Sequence, residues 1–360
     1  MHLPDDFHAR LETVLSCPTA PFHEGAVHRV LHDAVAKSPR LRGTVDAHGN
    51  LEVRYGPGRP RLLFHCHTDH PALEVDGPGT ARVMGGIRLS HLRGATLKTF
   101  CGTGPKPRIK SPVKGSKNRV RLSGAAGLTR GTPLLLDLPA YRLSGDKIRA
   151  RAVDDLCAVA SCLTMFDRLA AARWRGSVGA LFTRAEEVGF AGALAWVKTT
   201  TYPKSTTIIN LEMSSARPHT PQGAGPVLRV GDRITTFFQG VAVELNACAQ
   251  RLAKTDQEFR HQRALMDGGA CEASVFTFNE FRSGALCLPL KNYHNHTRNG
   301  GLGLEYVHKA DAENLVRWMV AYAKSFSKID AKARMLRRLE QLYNKNRRRL
   351  AQSVAQGAKS

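Results

Sequence analysis

The chain has 360 residues and is 42% hydrophobic, enough for about two domains around ordinary cores. Its formal net charge is +23, and no stretch approaches the roughly eighteen consecutive apolar residues of a membrane span. The start, MHLPDDFHARLETVL, has no apolar signal region, and the eight cysteines are scattered without a CxxC pair. These features argue against a secreted disulfide scaffold and a Cys-rich zinc site; they predict a cytoplasmic protein with reduced, mostly buried thiols.

Apolar spacing predicts an amphipathic helix over 21–36. Residues 43–55 alternate like a hairpin around His48-Gly49-Asn50, and the run RLLFHC at 61–66 reads as a buried strand. Over 77–149 the texture changes. Glycines and prolines separate short alternating runs, such as 119–122 and 132–138, which predicts a small β-barrel-like domain. This segment carries fifteen Lys/Arg against two acids, Asp137 and Asp146. Helices are then expected at 156–169, 192–198, 244–253 and 311–326, and strands at 177–183, 206–211 and 284–288. Alternating strands and helices imply an α/β fold with a mostly parallel sheet covered on both faces. The tail from 329 has apolar residues at helical spacing around Arg347-Arg348-Arg349, which fits either an amphipathic basic helix or a solvated tail. From 324 to 360 there are eleven Lys/Arg against two acids, so two segments hold nearly all the charge. The domain reading is therefore a catalytic body of 1–76 and 150–325, an inserted β-rich unit of 77–149, and a basic tail of 326–360.

Functional groups in such sheets collect at the carboxyl ends of strands. His67-Thr68-Asp69 follows one apolar strand. A neutral imidazole suits zinc, and a carboxylate two residues on can accept its other N–H. His65 and His70 flank it as competitors expected to point to other faces. Asp154-Asp155 opens a helix, where a simple N-terminal cap is the bland alternative. Glu186-Glu187 are adjacent carboxylates after a buried strand; such a pair repels unless a cation compensates, and one can bind metal while its neighbour holds a proton. Glu212 is expected to end a strand, and His294 follows another, with His296 as its rival. Together they supply two His and three carboxylates beside the proton-holding acid, a nitrogen–oxygen set suited to a zinc pair.

In this order the motifs resemble the tetrahedral-type aminopeptidases: glutamyl, lysyl and deblocking enzymes with a zinc pair sharing one carboxylate. The resemblance spans about residues 10–325, through the turn Asp46-Ala47-His48-Gly49-Asn50. Its most specific stretch is Arg184-Ala185-Glu186-Glu187-Val188-Gly189-Phe190-Ala191-Gly192-Ala193, followed by Asp267-Gly268-Gly269-Ala270-Cys271-Glu272-Ala273 and the run to His294. It implies that His67 and Glu212 hold one metal, zinc or cobalt, and Glu187 and His294 the other. Asp154 would bridge them, Asp69 would orient His67, and Glu186 would be the general base. It also implies peptide substrates, cleaved at the N-terminal bond, and a homo-oligomer built through 77–149. The chain departs from the pattern in carrying Glu212 where the family usually has Asp, and Cys271-Glu272 in place of Thr-Asp. The rival enzymes are a dipeptidase, a carboxypeptidase or an N-acyl-amino-acid deacylase of the same clan; their second domain typically follows the Glu-Glu pair. A rival of another class is a peptidase scaffold binding nucleic acid or acidic partners, suggested by the two basic segments.

Overall fold

The structure is a computed structural model and describes residues 4–328 and 331–357; positions 1–3, 329–330 and 358–360, at the ends of the expected catalytic body and within the expected tail, lie outside the described residues. In chain order, α1 (Asp5–Leu15) and α2 (Gly25–Lys37) precede the hairpin of β1 (Leu41–Val45) and β2 (Leu51–Tyr55), and β3 (Leu62–His67) follows. Six short strands succeed it: β4 (Ala72–Gly77), β5 (Thr80–Met84), β6 (Leu97–Thr99), β7 (Arg108–Pro112), β8 (Arg119–Ser123) and β9 (Pro133–Leu136). After β10 (Tyr141–Ser144) and β11 (Lys147–Ala150) come α3 (Leu156–Ala171), β12 (Val178–Thr183), α4 (Ala191–Thr199) and β13 (Thr207–Ser215). Then follow β14 (Val227–Arg229), α5 (Gln239–Thr255), β15 (Gln262–Ala264), α6 (Glu272–Phe278), β16 (Arg282–Leu290), β17 (Glu305–His308), α7 (Lys309–Ser325) and α8 (Ala331–Gly357).

The main sheet has eight strands in the order β1-β2-β12-β3-β13-β16-β14-β15. Its centre, β12-β3-β13-β16, is parallel, while β2 and β14 join antiparallel. Strand alternation sorts the core into two layers. Leu62, Phe64 and Cys66 of β3, with Val178, Ala180 and Phe182 of β12, pack into the large core that includes α1, α2, α3, α5 and α7. Leu63, Leu181 and Ile208 point the other way, into a second core with Ala193 and Trp196 of α4 and Val275 and Phe276 of α6.

A separate six-stranded antiparallel sheet, ordered β6-β9-β4-β5-β8-β7, encloses its own core of Leu73, Val83, Leu97, Ile109, Val120 and Leu134. Its first strand begins before residue 77, and β10 and β11, within or at the end of the expected 77–149, lie outside it in a three-stranded sheet in which β11 pairs with β17. That pairing is between segments far apart in sequence, and nothing local in either announces it.

Other local differences have plain causes. The helix expected at 21–36 begins only at Gly25, after Glu24, and the helix expected at 244–253 extends to Gln239–Thr255. Helices α1 and α6 were not anticipated; α1 buries only Phe7, Leu11, Val14 and Leu15, and α6 spans only seven residues. Strand β13 continues past its expected end to Ser215, so Glu212 lies within it. In the tail, α8 is a helix whose apolar residues, among them Leu336, Leu339, Tyr343 and Leu350, are more than half exposed. The eight cysteines are all free; Cys101 is exposed and the others are buried. Among the described residues no helix is long and apolar enough to cross a membrane.

Candidate metal centre

The parallel strands deliver the site. Thr183 of β12 pairs with His67 of β3, and Asn210 of β13 pairs with His65, so Glu212, two residues on, sits level with His67 on the same sheet face. Asp154 arrives from the turn before α3, Glu186 and Glu187 from the turn after β12, and His294 from the short turn Tyr293–Asn295 after β16. The structure brings all six side chains together. Candidate ligand atoms of His67, Asp154 and Glu212 lie within 4.8 Å of one another, and so do those of Asp154, Glu187 and His294. Asp154 belongs to both groups; a third group joins His67 with Glu186 and Glu187.

Distances within the cluster are those of groups facing a common centre. His67 Nε2 lies 3.4 Å from Asp154 Oδ1 and 4.0 Å from Glu186 Oε2, and His294 Nε2 lies 3.3 Å from Glu187 Oε2 and 3.8 Å from Asp154 Oδ2. Asp154 Oδ1, Glu187 Oε1 and His294 Nε2 are buried and have no hydrogen-bond partner, a condition that costs free energy unless a cation satisfies them. Nitrogen and oxygen donors without thiolate suit zinc or a similar divalent ion. The residues therefore fit a metal pair.

The electrostatics of the cluster follow from burial and from its neighbouring charges. Burial pushes the Glu186 carboxyl well above its usual range, and Glu187, Glu212 and Glu272 add to the rise against the pull of His67. Burial and Asp154 push Glu212 up to about 8. Burial opposes charge on His294, yet Glu187 and Asp154 push it up to about 9.

Three buried acids hold the ligand-bearing turns. Asp69 accepts the amides of Glu186 (3.0 Å) and Glu187 (3.1 Å), and one of its oxygens lies 3.5 Å from His67 Nδ1. Glu24 accepts the Ala185 amide (3.0 Å) and the Arg184 guanidinium (2.8 Å). Glu305 accepts the amides of Val153, Asp154 and His294. Ala185 and His294 sit at φ of 52° and 53°, a left-handed region that non-glycine residues enter at a cost, so these amide bonds fix strained turns. Sequence reasoning missed Glu24 and Glu305; the only signal was that an acid stood in an otherwise apolar setting.

The rival histidines are engaged elsewhere. His65 shares the sheet face of His67, contrary to the expectation that it points away, because residues two apart in a strand face the same side. Its ring meets Asn210 Oδ1 (2.6 Å), Thr183 Oγ1 (3.0 Å) and Glu272 Oε2 (3.2 Å). His70 meets the Asp154 carbonyl (2.5 Å) and Asn295 Oδ1 (3.3 Å). His296 Nε2 accepts the Arg88 amide (3.0 Å) and its ring packs on His91, outside the cluster. Asp155, beside Asp154, is buried without hydrogen-bond partners for its carboxylate.

The fold is of the zinc-exopeptidase type: a mixed sheet between helices, with a separate curled sheet beside it. The M42 glutamyl aminopeptidase family matches residues 121–317, more than half the chain, and the chain belongs to that family. Solved structures of the same fold include a TET peptidase of Pyrococcus horikoshii (22% identity, TM-score 0.73, covering 88% of this chain and 99% of that one), which can assemble into a tetrahedron or a large octahedral shell. A TET aminopeptidase from a marine sediment archaeon of the Thaumarchaeota aligns at 20% identity and a TM-score of 0.74, over 89% of this chain and 97% of its own. An aminopeptidase from Desulfurococcus kamchatkensis aligns at 18% identity and a TM-score of 0.72, over 89% and 94%. No curated protein matches the chain by sequence.

Proposed function

We propose that the chain is a cytoplasmic two-metal aminopeptidase that hydrolyses the N-terminal bond of peptides. The observation that carries the reading is that Asp154 belongs to both groups of candidate ligands, with His67 and Glu212 on one side and Glu187 and His294 on the other. Two divalent ions there, zinc or cobalt, would polarise the scissile carbonyl and lower the pKa of the attacking water. Glu186, 4.0 Å from His67 Nε2 and outside the two groups that share Asp154, takes the proton from this water and returns it to the leaving amine. Asp69 holds the turn and the His67 ring so that Glu186 is aimed.

The cavity bordered by Glu212 and Tyr293 extends to Arg217 and Arg229. Arg229 is buried, bonds Ser214 Oγ and the Met266 and Gly269 carbonyls, and has no carboxylate within ion-pair distance among the described residues. This wall favours an acidic side chain at the peptide's first residue.

In this reading the body is formed by about 1–76 and 150–325, with the six-stranded sheet as an inserted unit through which copies associate, as the assembly of the Pyrococcus relative suggests. Replacing the six-stranded sheet, about residues 72–136, by a short linker is then expected to leave a smaller species in sedimentation.

Glu186→Gln tests the mechanism. The amide is nearly isosteric yet cannot accept the proton, so metal content is expected to stay at wild-type level while kcat falls about 10²–10⁴-fold. Near wild-type turnover of aminoacyl amides by this variant would remove Glu186 from the role.

A further inference from the structure

The six-stranded sheet carries a charged face that the peptidase chemistry does not use. Ala81 and Val83 of β5, Val120 and Leu122 of β8 and Ile109 of β7 point into the sheet's own core. Alternation therefore turns Arg82, Arg119, Arg121 and Arg108 outward. Register places Arg82 directly opposite Arg119, and Thr80 opposite Arg121. Like charges facing each other across strands destabilise a sheet. Lys110, at a bulge in β7, and Lys114 and Lys117, in the turn between β7 and β8, are exposed as well. Asp76 reaches Arg119 (2.6 Å), and Asp137 pairs with Lys98 of β6 and with Lys106, two residues before β7. No ion pair joins Arg82, Arg108, Lys110 or Arg121 to a carboxylate among the described residues. Two acids share this face, Asp76 on Arg119 and Glu74, which lies opposite Arg82 across β4 and β5 and meets His23, and the five cations Arg82, Arg108, Lys110, Arg119 and Arg121 outnumber them.

We propose that the outward face of β5, β8 and β7 binds the phosphodiester backbone of nucleic acid without reading its sequence. Side chains on the same face recur about every 7 Å along a strand and about every 5 Å between strands, giving a grid of positive charge. A nucleic-acid strand offers one negative charge about every 3.4 Å of helix axis, so several phosphates meet such a grid at once. The face carries no aromatic side chain on which bases could stack, so the contact is to backbone alone. An anionic membrane fits less well. A membrane-surface element needs apolar side chains to bury, and no large hydrophobic side chain between residues 46 and 187 is exposed among the described residues.

The test uses the full chain and a fluorescent single strand of about twenty nucleotides of mixed sequence, with its duplex alongside, titrated from about 50 to 200 mM salt. The triple substitution Arg82→Ser, Lys110→Ser and Arg121→Ser is compared with Arg347→Ser, Arg348→Ser and Arg349→Ser on α8, which removes equal charge. Each phosphate contact contributes about 0.7–0.9 to the log–log salt slope. The sheet variant is therefore expected to lose about two units of slope and at least about tenfold in affinity at low salt. The α8 variant is expected to stay within about twofold of wild type, and both to keep the wild-type melting temperature and circular dichroism. Four results would overturn the proposal. These are no binding by the wild-type chain at low salt, a sheet variant that binds like wild type, a loss confined to the α8 variant, and capture on phosphatidylserine vesicles without capture of the oligonucleotide.

Discussion

Glu305 ties His294 to Asp154: its Oε1 accepts the His294 amide at 2.8 Å and its Oε2 the Asp154 amide at 3.0 Å. One buried carboxylate on β17 thereby sets the spacing of two candidate ligands that lie 140 positions apart in sequence. Glu305→Gln keeps the size but turns one acceptor into a donor facing an N–H. Partners of this kind typically contribute about 10–100-fold to metal affinity. The variant is expected to lose metal to a chelator at roughly that much lower concentration and to regain activity in excess zinc. Metal content after graded chelation reads it out; a wild-type chelation curve would show that Glu305 merely fills space.

Gly86 brings the six-stranded sheet to the site. A Cβ at this position would meet the His294 ring, coming within 2.6 Å of Cε1. The ring has little room to give way, since His294 is buried and its amide is held by Glu305. Gly86→Ala is therefore expected to push the imidazole out of line and lower kcat/KM by about 10²-fold, with a smaller effect on melting temperature. Steady-state kinetics beside a thermal melt distinguishes this from general unfolding.

The basic wall beside Glu212 predicts selectivity. Arg217 is exposed and borders the cavity, whereas Arg229 is buried in hydrogen bonds, so Arg217→Ala alters the wall without dismantling it. An exposed charge-assisted contact contributes about 1 kcal/mol. The ratio of kcat/KM for glutamyl over leucyl anilides is expected to fall about fivefold, with the leucyl rate unchanged. An unchanged ratio would move the selectivity elsewhere.

His28 makes stability fall in mild acid. Burial, with Arg184 and His32 adding to it, lowers its pKa from the ordinary 6.5 to about 4, and its Nε2 lies 3.2 Å from Thr68 Oγ1. A group whose folded pKa is depressed stabilises the fold fully above its unfolded pKa and loses that contribution as pH falls through the interval. The window is therefore pH 6.5 to about 4, and at pH 5 the loss is about 2 kcal/mol. His28→Asn is expected to remove that share of the acid limb in urea denaturation at pH 7.5 and pH 5. An identical pH dependence in both proteins would clear His28.

The sequence by itself determined the groups that ride on regular structure. Buried strands end in polar residues for few reasons, so His67 and the Glu186–Glu187 pair stood out against apolar runs. The change of texture after β3 marked the six-stranded sheet, because short alternating strands and glycine turns are local signals. Glu212 was visible for the same reason, although its strand runs three residues further.

Only the tertiary structure decided what depends on distant partners. His294 and His296 are both candidates by spacing, and it is His294 that Glu305 and a left-handed turn bring beside Asp154. Glu24 and Glu305 act by accepting backbone amides from other segments, an interaction with no period and no motif. The pairing of β11 with β17 joins strands over 150 positions apart, and β17 brings Glu305 to the site. Periodicity records which face of an element is apolar; it does not record which remote carboxylate will satisfy a buried N–H, and at this centre that decides where the ligands stand.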